Sequence, residues 1–208
     1  MPVPHRSICV FCGSNPGANP AYAEAARALG SAMAESGLRL VYGAGNVGLM
    51  GILADAVLDA GGSVVGVIPQ FLASKELAHR GITEIHEVET MHERKSLMIS
   101  LADAFIALPG GIGTLEEFFE VWTWLQLGLI HKPIGILNVE NLFDPLLRFV
   151  QSLVEQRFMK PIHHDLLVVA TRPRDLLTLL AKREIPFEGK WLDDAQPKYA
   201  ITDPASKG

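Results

Sequence analysis

The feature that most constrains this chain is a rhythm: short apolar runs alternate with helical patterns from near the start to about residue 182. Strand-like runs fall at 7–12, 38–42, 63–68, 83–88, 103–108, 133–138 and 166–170. Helical patterns fall at 20–36, 46–60, 90–101, 114–128, 142–157 and 173–182. Runs such as "LRLVY" and "SVVGVI" are apolar on both faces. A strand of that kind is buried from two sides, as in a parallel sheet sandwiched by helices. The expectation is an α/β chain with a doubly wound, mostly parallel sheet and helices on both faces.

The length of 208 residues fits one domain with a core of useful size. No linker divides it, so residues 1–185 are expected to form a single nucleotide-binding unit of Rossmann-like type. From about 186 onward, "PFEGKWLDDAQPKYAITDPASKG" loses periodicity and reads as a peripheral tail.

Charge narrows the function. A net charge of −5 opposes a broad footprint for a nucleic-acid polymer. No apolar run approaches the ~20 residues that span a bilayer. The first residues, "MPVPHRSICVF", lack the pattern of a secretory signal. A cytoplasmic protein without a membrane partner is expected. Cys9 and Cys12 form a C-x-x-C, but within a strand the two point to opposite faces, so they read as buried structural thiols.

In such sheets ligands gather outside the carboxyl ends of the strands. Three apolar runs here end in glycine turns, "FCGSN", "VYGAGNVG" and "LPGGIGT". In the last, Gly110, Gly111 and Gly113 permit unusual backbone angles. Their N–H groups and the helix start near Thr114 suit a phosphate. No lysine follows the last glycine, so this is not a P-loop. Thr114 and Glu117 fit a capping box, and Glu116 suits the helix dipole. A carboxylate in that position would also lie near a bound ribose, so a catalytic Glu117 stands beside the capping reading.

"GAGNVG" at 43–48 matches a dinucleotide fingerprint, but "SVVGVIPQF" lacks the acidic residue that should follow. A turn contacting a smaller nucleotide fits better than nicotinamide binding. In "TMHERK", Thr90 and Glu93 form a second capping box, which places Arg94 and Lys95 near the unfavourable end of a helix dipole. An anion or an acidic partner such as Glu117 would offset that placement. Phe118, Trp122 and Leu125 recur at helical spacing, as core or as a subunit interface. His163 and His164 read as surface residues.

Together, "PGGIGTLEE", the preceding "MHERK", and "VFCGS", "GLMG", "VIP", "QLG" and "KPIGILN" make the chain resemble the LOG ("Lonely guy") family over about residues 7 to 155. The resemblance implies a cytokinin riboside 5′-monophosphate phosphoribohydrolase that acts without a metal or other cofactor and forms a homodimer. It implies a catalytic pair at Arg94 and Glu117. It implies nucleotide contacts at Gly13, Ser14, Gly43, Gly45, Glu76, Lys95, Gly110, Gly111, Ile112, Gly113, Thr114, Glu116 and Thr123. The family often has glycine where this chain has Ala44, and an aromatic residue where it has Ile112. Both bear on the preferred base, whether N6-prenylated or plain adenine. A nucleotide-binding or carrier module without this chemistry, and a lysine decarboxylase, are the competing classes.

Overall fold

The computed structural model describes residues 7–73 and 78–185. Seven strands follow one another in the chain: β1 (Ser7–Phe11), β2 (Arg39–Tyr42), β3 (Val64–Pro69), β4 (Glu84–Val88), β5 (Ala104–Ala107), β6 (Ile134–Leu137) and β7 (Leu167–Ala170). They form one sheet in the order β4-β3-β2-β1-β5-β6-β7, and every pair is parallel. The long helices are α1 (Pro20–Glu35), α2 (Gly48–Asp59), α4 (Met91–Leu101), α5 (Ile112–Gln126), α6 (Asp144–Glu155) and α8 (Pro173–Lys182). Two short α-helices, α3 (Gln70–Ala73) and α7 (Pro161–Asp165), and a 3-10 turn at Val139–Asn141 complete the helices of the described residues. Each expected strand and each expected long helix is present within a few residues of its expected bounds. The tail expected at 186–208 lies outside the described residues.

The alternation of β1 shows how the two cores divide. Ile8, Val10 and Cys12 enter one core with Leu29 of α1, Leu53 of α2 and Leu176 of α8. Cys9 and Phe11 enter the other with Met98 of α4, and Phe118 and Trp122 of α5. The two cysteines are therefore free, buried and on opposite faces, as expected. Burial drives both thiol pKa values upward, so neither is a reactive thiolate.

Two expectations about this layer are corrected or resolved. Phe118, Trp122 and Leu125 are buried within the chain, which resolves them as core. The Trp122 indole donates to the His163 carbonyl at 3.1 Å. Truncating such a residue typically costs about 3–5 kcal/mol. His163 is not a surface residue, being only 2% exposed. It lies on α7, a helix too short for periodicity to reveal.

The order of the strands fixes where a ligand can bind. The chain runs outward from β1 through β2 and β3 to β4, then returns to the far side of β1 as β5. In doubly wound sheets ligands bind at the switch point, which here lies between β1 and β5. The three glycine turns follow β1, β2 and β5, the central strands. Gly13 joins them: its N–H donates to Pro109 at 3.0 Å, and its carbonyl accepts from Leu49 at 3.0 Å. Among the described residues, no helix is long and apolar enough to cross a membrane.

Candidate functional site

Helix α5 starts two residues earlier than expected. Gly111 is its N-cap, without a side-chain hydrogen bond, and Ile112 is its first helical residue. The capping box expected between Thr114 and Glu117 therefore does not form. Thr114 stands in the first turn and is buried, its hydroxyl packed where a Cβ on Gly110 would lie, 2.0 Å away. Gly110, Gly111 and Gly113 do not adopt positive φ, so the expected unusual backbone angles are absent. What these glycines supply is space. A Cβ on Gly111 or Gly113 would meet nothing within 4 Å. Gly110 through Gly113 are exposed. With no acidic residue in the first turn, the uncapped amides and the positive dipole end of α5 present an anion-friendly surface.

Glu117 follows in the second turn, freed from capping. Its side chain is only 14% exposed. Burial raises its pKa above the ordinary glutamate value, Arg94 and Lys95 act in the opposite sense, and Glu116 and Glu120 reinforce the rise. The result is a carboxyl group whose pKa lies above its usual value, beside an open helix start.

Arg94 comes from α4, whose start is fixed by the expected capping box: the Thr90 hydroxyl accepts from the Glu93 N–H at 3.1 Å, and the Glu93 carboxylate returns to the Thr90 N–H. The Arg94 side chain, 11% exposed, reaches back over the ends of two strands. Nε donates to the Val67 carbonyl and Nη2 to the Gly43 carbonyl, each at 3.2 Å. Nη1 lies 3.9 Å from Glu117 Oε1. That is too long for a hydrogen bond, and close enough for a strong electrostatic effect in a buried setting. Arg94 is thus aimed by backbone carbonyls, with the carboxylate nearby but not clasped.

Lys95 behaves differently. Its ammonium lies 2.5 Å from Glu116 and 3.0 Å from Glu120, which are one turn apart on α5. Burial depresses its pKa, but hydrogen bonds to Glu116 and Glu120 outweigh that, and the net shift is upward. Sequence reasoning did not single out Glu120. Its i, i+4 spacing from Glu116 was the available signal, but only the packing of α4 on α5 shows the cation between them.

The turn after β2 closes the other side. Ala44 has φ of +57°, a left-handed conformation that glycine adopts freely and that costs alanine roughly 1 kcal/mol. The Ala44 carbonyl accepts from the His79 N–H at 2.8 Å, and Gly45 bridges Ala78. The His79 ring is fixed in turn: Nδ1 accepts from the Gly81 N–H at 3.2 Å, so Nε2 carries the proton donated to Asp55 at 2.9 Å.

The expected site residues thus separate. Arg94, Lys95, Glu116 and Glu117 come together, beside the start of α5 at Gly111, Ile112 and Gly113. Ile112 is 82% exposed and Ser14 is exposed. Gly13, Gly43 and Gly45 are buried in the supporting turns. Thr123 lies exposed two turns further along α5, its hydroxyl donating to the Phe119 carbonyl at 2.7 Å. Glu76 lies outside the described residues.

The family model described as possible lysine decarboxylase matches residues 50–180. A cytokinin riboside 5′-monophosphate phosphoribohydrolase from Rhodococcoides fascians is 52% identical over 165 residues, covering 79% of this chain and 83% of that protein. One from Arabidopsis thaliana is 46% identical over 183 residues, covering 88% and 84%. One from Oryza sativa subsp. japonica is 45% identical over 199 residues, covering 95% and 82%. Among solved structures, the molybdenum cofactor binding protein from Rippkaea orientalis superposes with a TM-score of 0.64 at 22% identity, covering 83% of this chain and 93% of that one. At that identity the likeness is one of fold. With half or nearly half of its residues identical to these phosphoribohydrolases over most of its length, the chain belongs to their family, the LOG family.

Proposed function

We propose that this chain hydrolyses the N-glycosidic bond of cytokinin riboside 5′-monophosphates, releasing the free base and ribose 5-phosphate, and that AMP is a further substrate. The observation that carries the reading is the largely covered Glu117 carboxyl group 3.9 Å from Arg94, one turn beyond an uncapped, open helix start. The names borne by the relatives supply the substrate class.

The chemistry needs two things. Cleavage at the anomeric carbon develops positive charge on the ribose, which a nearby carboxylate stabilises while it accepts a proton from the attacking water; the bond's electron pair leaves with the base, which takes up a proton in turn, so that water is divided between the two products. Glu117 is the candidate for both roles, and burial strengthens its field at the sugar. The reaction also needs the sugar held in place. The amides at Gly111–Thr114 and the dipole of α5 would bind the 5′-phosphate and so fix the ribose against Glu117. Arg94, already bound to two carbonyls, would hold Glu117 ionised and contact ribose or phosphate oxygens. Lys95 would keep Glu116 and Glu120 from driving the Glu117 pKa higher still. A homodimer is part of the proposal, and light scattering reads it directly.

The decarboxylase reading asks for an uncharged lysine able to form a Schiff base. Among the described residues, Lys95 is the lysine of this site, and two carboxylates hold it as an ammonium ion. That opposes the reading. A carrier without chemistry would bind AMP and release nothing.

The test is to incubate the protein with N6-isopentenyl-AMP and with AMP and to measure free base. Glu117→Gln should cut turnover by about 100-fold or more while AMP binding stays within a few-fold of wild type. Near-normal turnover in that variant would remove Glu117 from the mechanism. Binding without product in the wild type would favour the carrier.

A further inference from the structure

We infer that Gly43 is a positioning residue for Arg94: the space left by its missing side chain is the slot in which the guanidinium lies. The inference rests on the phosphoribohydrolase reading and gives Gly43 a task other than touching nucleotide. A Cβ built on Gly43 would lie 1.8 Å from Arg94 Nη2, 3.0 Å from Cζ and 3.5 Å from Nε, so its three nearest neighbours all belong to one side chain. Gly43 does not adopt positive φ, and its backbone would accept an L residue. The requirement for glycine is spatial, and a single partner imposes it.

The neighbouring glycines make the contrast. At Gly45 the nearest atom is the terminal methyl of Met50, a flexible end that can swing aside. At Gly48 the obstruction is the backbone of Ser14 and Asn15, which concerns the turn itself. Only at Gly43 does the obstruction come from a group placed in the reaction. That group has little freedom to yield. Arg94 Nη2 bonds to the carbonyl of Gly43 itself and Nε to Val67, so one residue supplies both the acceptor and the room for the donor. A methyl group here would break the Gly43 bond and turn the guanidinium away from its place 3.9 Å from Glu117. Glu117 would lose the cation that lowers its pKa, and the acid limb of the activity profile would move upward.

The test is a double-mutant cycle with Gly43→Ala, Arg94→Ala and both together. It is read by kcat and KM for base release, by the pH profile, and by thermal unfolding without substrate. Gly43→Ala alone should lower kcat by about 100-fold, as expected for a misplaced catalytic group, and lower Tm. Its acid limb should move toward that of Arg94→Ala. In the Arg94→Ala background, Gly43→Ala should change kcat by less than about twofold and leave Tm unchanged. If Gly43→Ala raises KM but leaves kcat and the acid limb alone, or costs as much without Arg94 as with it, the slot is refuted and direct nucleotide contact takes its place. If Gly43→Ala fails to fold, recovery of folding in the double variant supports the slot and failure there overturns it. If the wild type releases no base, the proposed reaction fails, while the Tm cycle still decides the role of Gly43.

Discussion

The turn after β2 and the turn after β5 are both rich in glycine and stand on the same edge of one sheet, but they use the missing side chains in opposite ways. In the first, protein fills the space: Arg94 at Gly43, Met50 at Gly45, and the backbone of Ser14 and Asn15 at Gly48. In the second, Gly111 and Gly113 face open space, and only Gly110 is packed, against Thr114. One turn is a support and the other is a mouth. A glycine-rich turn in a sequence does not say which it is. The difference lies in what the rest of the chain brings up against it.

Substitution separates the two turns most sharply at Gly48, where φ is +60° and a Cβ would stand 2.3 Å from the Ser14 carbonyl carbon. Strain and overpacking together put the cost of Gly48→Ala at about 2–5 kcal/mol, readable by chemical denaturation. A smaller effect of a different kind is expected at Gly111. Gly111→Ala should leave stability within about 0.5 kcal/mol of wild type while weakening AMP binding by about tenfold, as calorimetry would show. Loss of stability at Gly111, or its retention at Gly48, would erase the contrast.

The smallest effect concerns Glu117 beside the open turn. Its folded pKa lies above the ordinary value of 4.5, so the protonated form favours the fold. The stability it confers is present below that value and is lost as pH rises through the folded pKa. Glu117→Gln should therefore be as stable as wild type in acid and more stable at neutral pH, by thermal melts at both. In the wild type, the acid limb of kcat/KM should lie above 4.5 and move further up when Arg94 is replaced by alanine.

The sheet was legible from the sequence because both faces of its strands are apolar, and the long helices because their periods run over several turns. The four-residue α3 and five-residue α7 escaped, since neither completes enough turns to show a period, and the burial of His163 escaped with α7. The nearness of Arg94 to Glu117 was legible through their motifs, but their surroundings were not. Thr-x-x-Glu at 114–117 looks like a helix start because local spacing carries no record of a hydroxyl tucked under Gly110. Likewise Arg94 looks like a partner for an anion, whereas two carbonyls from β2 and β3 ends hold it. Those contacts join residues 27 and 51 positions apart, beyond the reach of any local pattern.

The order of the strands has a consequence for how this protein comes to life during synthesis. Gly43, Arg94 and Glu117 belong to three separate crossovers, and β1, the strand beside the switch point, is made first but gains its second neighbour only when β5 arrives. Until α5 is made, Arg94 lacks the carboxyl group of Glu117. The slot that holds Arg94 is built from residues up to α4 alone, so it precedes in the chain the carboxyl group that it faces.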